Sequence, residues 1–147
     1  QERTFSTEKI NQFKMDYLKE STINFNEIEG VKELVEKLQK ETEFGVCYAT
    51  GSLRKPAEHK LKLIGIEFKE WQLVTSNRIF ERESIVEKAI KNSSEKYEVE
   101  MFERIISVGV GLWFFITAEN LKLEFIGVGE TNRGLLIQEE HLQCLKI

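Results

Sequence analysis

The chain has 147 residues, with 21 Lys and Arg against 25 Asp and Glu, so its formal charge is −4. The length fits about one domain, and a 41% apolar share can build a core, which excludes a disordered tail. The negative charge argues against a nucleic-acid partner, and no apolar stretch is long enough to cross a membrane. The two cysteines, Cys47 and Cys144, form neither a disulfide framework nor a zinc site, which favours the cytoplasm.

The first forty residues are typical of helices. A rough apolar stripe predicts a helix over residues 6–20, and Asn26 is placed to cap a second helix. The second helix has its apolar residues at the i, i+3, i+4, i+7 spacing of an amphipathic helix: Ile28, Val31, Leu34, Val35 and Leu38.

Predicted strands and helices alternate from residue 44 onwards. The predicted strands are 44–49, 71–74, 104–108, 124–128 and a short final one at 141–147, and the predicted helices are 53–63, 82–97, 112–121 and 131–140. The run at 44–49 is typical of a strand buried on both faces. No repeat or linker divides the chain. This order predicts an α/β fold in which a parallel sheet lies between helices, a three-layer Rossmann-like arrangement.

Ligands of open α/β sheets bind at the carboxyl ends of the strands, so the loops at those ends are the candidate sites. Thr50, Gly51 and Ser52 follow the first of these strands. A hydroxyl and backbone amides at a helix N-terminus can hold a phosphate oxygen. The alternative is that Thr50 and Ser52 only cap the helix.

Arg82 opens a predicted helix directly after the next loop. A cation there opposes the helix dipole, which suggests a negatively charged ligand. The alternative is an exposed Arg82 paired with Glu81, Glu83 or Glu87.

A third loop contains Gly109, Val110 and Gly111, and the aromatic residues Trp113, Phe114 and Phe115 follow it. A single G-x-G is too short for a dinucleotide fingerprint. Core packing is the expected role of the aromatic cluster, but exposed aromatic residues would form an apolar patch that favours a partner.

The three loops, in this order and at this spacing, resemble the phosphatase-like members of the haloacid dehalogenase (HAD) superfamily. Thr50 is similar to the phosphate-binding hydroxyl of the second family motif, and Arg82 to the cation of the third. Gly109-Val110-Gly111 resembles the fourth. The likeness covers residues 28–129. It implies a HAD-like hydrolase domain that binds phosphate or a small phosphorylated ligand through Thr50, Gly51 and Arg82.

Two departures bear on catalysis. The first family motif, Asp-x-Asp, supplies the nucleophile, and the only Asp in this chain is Asp16. Acids of the fourth motif help to hold Mg²⁺ in intact members, and Val110 and Phe114 stand in their places. The resemblance therefore implies a phosphatase-type domain with no catalytic residue and no metal ligands, incomplete or disabled as it stands.

The family's first strand lies between its second and fourth strands. By the resemblance, the chain begins after that strand, with residues 1–25 as the end of a helical cap and residues 26–147 as the α/β core. The gap would be closed by the two flanking strands, filled by another chain, or avoided by an unusual placement of the N-terminal helix. Self-association is expected through the unpaired sheet centre or through the cluster Trp113–Phe115.

Two other interpretations remain open. One is a non-enzymatic interaction module or pseudo-phosphatase, which binds a partner or an anion on the retained scaffold. The other is a different doubly wound domain whose likeness to the HAD superfamily is accidental.

Overall fold

The computed structural model describes residues 8–9, 12, 15–16, 28–41 and 43–128. The five described residues before residue 28 are all helical, and Gln12 Nε2 donates to Asp16 Oδ1 over 2.8 Å, as in a helical i, i+4 pair. These positions agree with the predicted N-terminal helix. The Asn26 cap, the helix at 131–140 and the strand at 141–147 lie outside the described residues.

The described chain alternates helices and short parallel strands. In chain order the elements are α1 (Val31–Lys40), β1 (Tyr48–Thr50), α2 (Arg54–Leu63), a 3₁₀ helix (Glu70–Gln72), β2 (Leu73–Thr75), α3 (Arg82–Tyr97), β3 (Ile106–Gly109), α4 (Leu112–Asn120) and β4 (Glu124–Gly127). β1 pairs with β2, and β3 pairs with β4, both in parallel. A mixed α/β class with parallel strands is therefore confirmed.

Helix α1 begins later than its apolar spacing predicted. Gly30 precedes it with a φ of +81°, a left-handed conformation that glycine adopts without strain. Ile28 lies before the helix, where its carbonyl accepts a hydrogen bond from the Val31 amide over 3.1 Å. The last four of the predicted apolar positions, Val31 to Leu38, remain in the helix.

The chain divides into two compact units, Gln1–Tyr97 and Glu98–Ile147. In the first unit the register of the strand pair sets Tyr48 beside Leu73 and Thr50 beside Thr75. The core of this unit consists of buried residues from β2 and α3, with partly buried residues packed against them: Val74, Ile85, Ala89, Ala49 and Ile79. Helix α3 thus packs on the strand pair.

The expectation of a fully buried strand over residues 44–49 is wrong. The strand is confined to Tyr48–Thr50 and is half-buried, while Phe44 and Cys47 are exposed. The cause lies in the neighbouring segment, because residues 70–72 form a 3₁₀ helix and offer no strand ladder to residues 44–47. The carbonyl of Val46 instead accepts from Gln72 Nε2 over 2.8 Å. The predicted strand at 71–74 is correspondingly shifted to Leu73–Thr75.

In the second unit, β3, α4 and β4 form one βαβ arrangement. Phe115 of α4 contacts Phe125 of β4, with ring centroids 5.7 Å apart, so α4 covers the sheet face that carries Phe125. Ile106 and Val108 alternate with the residues of that face and are exposed. Within the described residues of the second unit, α4 covers one face of β3, and the expectation of a sheet covered by helices on both faces stays a prediction.

Across the described ranges, no helix combines the length and the apolar character needed to span a membrane.

Candidate functional site

The carboxyl ends of β1 and β2 carry two loops that are hydrogen-bonded to each other. The Ser76 amide donates to the Ser52 carbonyl over 3.2 Å, and Ser76 Oγ donates to the Gly51 carbonyl over 2.8 Å. Thr50, the last residue of β1, is beside Thr75, the last residue of β2. The phosphate site predicted at Thr50 and Gly51 therefore lies where hydrogen bonds hold the loop after β1 against the loop after β2.

Thr50 has one defined role in this edge. Its Oγ1 accepts a hydrogen bond from the Ser52 amide over 3.1 Å, which folds the loop back on the strand end. A hydroxyl that accepts one hydrogen bond keeps its own proton for donation. Gly51 is exposed, and a Cβ added to it would meet no atom within 4 Å. Thr50 and Gly51 thus combine a hydroxyl donor with an open approach to the backbone.

The first amide of helix α2 is capped by a residue of the opposite loop. Asn77 Oδ1 accepts from the Arg54 amide over 2.7 Å, whereas the N-cap residue Leu53 makes no side-chain cap. The alternative in which Thr50 and Ser52 cap this helix is therefore wrong. A cap supplied from another loop depends on tertiary structure, and no local spacing in the sequence could have indicated it.

Arg54 connects α2 to β2 and to the 3₁₀ helix before it. Its guanidinium donates to the carbonyl of Leu73 over 2.7 Å and to that of Glu70 over 3.3 Å. It also pairs with the carboxylates of Glu58 (2.6 Å) and Glu70 (2.8 Å). No local pattern in the sequence indicates this role of Arg54. These contacts make it a structural cation that holds α2 to β2.

Arg82 is the first residue of α3 and is exposed. Ile85, one turn later, packs against Val74 and the strand pair. Helix α3 follows the loop that leaves the carboxyl end of β2, so its N-terminus lies at the same end of the first unit as Thr50. The structure thus brings Thr50, Gly51 and Arg82 to one end of the β1–β2 pair.

The third loop, with Gly109, Val110 and Gly111, belongs to the second unit. Gly109 is buried, and a Cβ on it would lie 2.7 Å from both Cβ and Cγ of Phe114. Gly111 has a φ of +96°, in the region that favours glycine. Packing against Phe114 and the turn before α4 are therefore sufficient to explain this glycine pair.

Val110 and Phe114 are exposed and carry no oxygen that could bind a hard cation. In residues 28–41 and 43–128, together with the five described residues before them, no group of three or more His, Cys, Asp or Glu could hold a metal ion. The side chains at this position do not fit Mg²⁺.

The aromatic cluster after Gly111 is divided between core and surface. Phe115 is buried, which fits the expected core role, whereas Trp113 is 66% exposed and Phe114 is also exposed. Core packing is therefore the wrong interpretation for Trp113. Its indole lies mostly on the surface of the second unit.

Comparison with protein-family models, with characterised proteins and with solved structures finds no match to this chain. The candidate site is consequently defined by its own residues and contacts.

Proposed function

We propose that the chain is a HAD-like domain of phosphatase lineage that binds phosphate or a small phosphorylated ligand and does not hydrolyse it. The ligand site consists of Thr50, Gly51 and Arg82. The observation that carries the proposal is the position of Thr50. Thr50 is the last residue of β1, Gly51 next to it leaves space for a ligand, and α3 starts at the same end of the strand pair. Backbone amides, a hydroxyl and a cation are the groups that recognise a phosphate.

The full architecture we propose is a three-layer Rossmann-like sheet. The two parallel pairs, β1 with β2 and β3 with β4, support it. By the resemblance, β1 is the family's second strand and β3 its fourth, and the family's first strand would lie between them. In the described residues neither pair includes a strand of the other. We place the protein in the cytoplasm, which agrees with Cys47 being a free cysteine.

The donor set supports binding without catalysis. Phosphoryl transfer in this family needs an Asp nucleophile and Mg²⁺, and the single Asp, Asp16, is bonded to Gln12 within a helix. Val110 and Phe114 supply no metal ligand. Affinity for the phosphate group is therefore the property that these residues can retain.

Titration of the purified chain with inorganic phosphate and with tungstate tests the proposal. We expect saturable binding at millimolar concentration, with affinity at least tenfold lower in Arg82→Ala and in Thr50→Val. Lys91→Ala is the matched control, because Lys91 is an exposed cation on the same helix, nine residues from Arg82 or about 13 Å along the axis, and pairs with Glu95. Its affinity should equal that of the unmodified chain.

Two results would contradict the anion site. One is the absence of any phosphate or tungstate affinity at millimolar concentration. The other is an equal loss in Arg82→Ala and Lys91→Ala, which would indicate non-specific attraction between the anion and surface charge.

The second candidate function is a non-enzymatic interaction module. The 66% exposure of Trp113 favours it, because a large aromatic side chain on an apolar surface is typical of a binding site. In a Trp71→Phe background, which leaves Trp113 as the only tryptophan, fluorescence that does not change when the chain self-associates or binds a protein partner would count against this function.

A further inference from the structure

The loop after β1 and the first turn of α2 have already used several of their backbone N–H groups. The Ser52 amide donates to Thr50 Oγ1 over 3.1 Å, and the Arg54 amide donates to Asn77 Oδ1 over 2.7 Å. Pro56, in the first turn, has no amide proton. Part of the set of donors that a helix N-terminus offers to an anion is therefore engaged or missing.

The side chain of Asn77 is bonded through its oxygen alone. Besides the Arg54 amide, Oδ1 accepts a longer contact from Thr75 Oγ1, at 3.4 Å. Because a backbone N–H faces it, this end of the carboxamide is the oxygen, and Nδ2 is the other end. Asn77 is half-buried, and its Nδ2 is open to solvent and bonds to no residue that the structure describes. Both N–H donors of Nδ2 are thus available to a ligand.

The loop that carries Asn77 borders the residues assigned to the anion. Ser76, directly before it, donates from Oγ to the Gly51 carbonyl over 2.8 Å. Thr75, one residue earlier, is beside Thr50 in the strand register. Asn77 therefore follows within two residues of the strand end that lies next to Thr50.

The cap that Asn77 provides is neutral, which matters next to an anion. Asn and Asp cap helices about equally well, and Asp gains more from the helix dipole. A carboxylate at position 77 would repel a phosphate bound nearby, whereas a carboxamide adds no charge. A hydrogen bond accepted by the oxygen also polarises the N–H groups of the same carboxamide, so the bond from Arg54 makes Nδ2 a better donor.

We propose that Asn77 is a further residue of the anion site and that its Nδ2 donates a hydrogen bond to the bound phosphate. This inference rests on the proposed function, because it adds a ligand contact to the site of Thr50, Gly51 and Arg82. Oδ1 holds the loop after β2 to the start of α2, and Nδ2 binds the anion. A hydroxyl, a cation and a carboxamide are together suited to a tetrahedral oxyanion.

Asn77→Asp tests the contact, because Asp is isosteric and keeps the oxygen that caps α2 while it removes both N–H donors. We expect the urea midpoint of the unmodified chain, with an affinity for inorganic phosphate that is lower by about tenfold or more. Asn77→Ala also removes the cap, so its urea midpoint should fall.

Lys91→Gln is the control for charge, measured at the same ionic strength. It lowers the net charge by the same one unit as Asn77→Asp, at an exposed position of α3 that pairs with Glu95. Its phosphate affinity should equal that of the unmodified chain, because salt screens charges that lie more than about 8–10 Å away.

The side-chain amide signals of Asn77 give a direct readout in the unmodified chain, whether or not the variants fold. In a ¹⁵N–¹H correlation spectrum, the Nδ2 pair of Asn77 should shift as phosphate is added and reach its limit at the concentration that saturates binding. Asn92 is the matched control. Its Nδ2 donates to the Trp71 carbonyl over 3.3 Å from the middle of α3, so its pair should not shift.

The outcomes distinguish a wrong role for Asn77 from a wrong site. An unmodified chain without phosphate affinity contradicts the proposed function, and the role of Asn77 falls with it. If the chain binds phosphate, an unchanged affinity in Asn77→Asp or an Asn77 amide pair that does not shift overturns the role of Asn77 alone. A urea midpoint of Asn77→Asp as low as that of Asn77→Ala also overturns it, because Oδ1 would then not be the atom that holds the side chain.

Discussion

At the scale of single residues, Tyr48 of β1 has a phenol whose ionisation is disfavoured by its surroundings. Burial raises its pKa to about 12, and the negative charge of a neighbouring Cys47 thiolate contributes in the same direction. Gln39 Nε2 donates to the phenol oxygen over 3.0 Å and to the Glu67 carbonyl over 3.0 Å, so the tyrosine also anchors α1. Desolvation by burial is what opposes ionisation of this phenol, since a phenolate would still accept the hydrogen bond from Gln39.

A loss of stability in alkali is the expected consequence. Tyr in an unfolded chain ionises near pH 10. The raised pKa keeps folded Tyr48 neutral up to about 12, so its contribution to the free energy of unfolding is complete below about pH 10. As the pH rises from about 10 to 12, the unfolded state loses this proton first and stability falls. Urea midpoints measured across this range should decline more for the unmodified chain than for Tyr48→Phe.

A difference absorbance titration supplies the direct readout. Subtraction of the Tyr48→Phe curve from that of the unmodified chain isolates one phenolate, with an expected midpoint near 12. Cys47→Ser removes the thiolate charge and should move that midpoint towards its ordinary value of about 10. An isolated midpoint already at the ordinary value would show that the folded chain does not desolvate Tyr48.

At the scale of elements, the contact between β3 and α4 depends on Gly109. A Cβ there would lie 2.7 Å from Cβ and Cγ of Phe114, and the Phe114 Cβ can move only with the first turn of α4. Such overpacking typically costs about 1–3 kcal/mol. We expect Gly109→Ala to lower the free energy of unfolding of the second unit by about this amount, measured by urea denaturation.

Gly51→Ala is the matched control, because a Cβ at Gly51 meets no atom within 4 Å. Its effect on stability should stay within about 0.5 kcal/mol. Addition of Phe114→Ala to Gly109→Ala should recover part of the loss, since it removes the opposing atoms beyond Cβ. Equal stability of Gly109→Ala and Gly51→Ala would exclude close packing as the reason for glycine at position 109.

The helices were predictable to within a few residues, and the strands less so. α3 has the expected bounds of Arg82–Tyr97, and α2 begins one residue later than predicted. Helical spacing and capping are local features that a sequence displays directly. The extent of a strand depends on the segment beside it. Val46 is not part of β1, because Gln72 beside it belongs to a 3₁₀ helix and donates to the Val46 carbonyl through its side chain.

The candidate site shows the same division between local and tertiary information. Thr50 and Arg82 were identifiable because each stands at the junction of a strand or loop with a helix. Asn77 and Arg54 were not identifiable, because their contacts join distant parts of the sequence. Asn77 caps an amide 23 residues away, and Arg54 donates to the Leu73 carbonyl 19 residues away. Exposure of Trp113 was also undetermined by the sequence, because periodicity does not reveal which helix face has a covering layer.

At the scale of the whole molecule, the two units present different chemistry. The first unit places a hydroxyl, an open glycine and a cation at one end of a parallel pair. The second presents the exposed apolar residues Ile106, Val108 and Trp113. The first set of groups is what the proposed anion site would use, and the second is the surface that the candidate interaction module would use.

Absence of phosphatase turnover is the expectation for the intact chain. Loss of a nucleophile and its partners lowers rates by about 10⁴–10⁶-fold in other covalent catalysts, and this chain has one Asp, at position 16. Release of phosphate from a simple aryl phosphate should match the buffer blank, with or without added Mg²⁺. Thr50→Val and Asp16→Asn serve to identify a trace contaminant, whose rate neither substitution changes. Turnover above the blank that is lost in both variants would contradict this expectation, because it would require Asp16 and the end of β1 to act on the same phosphate.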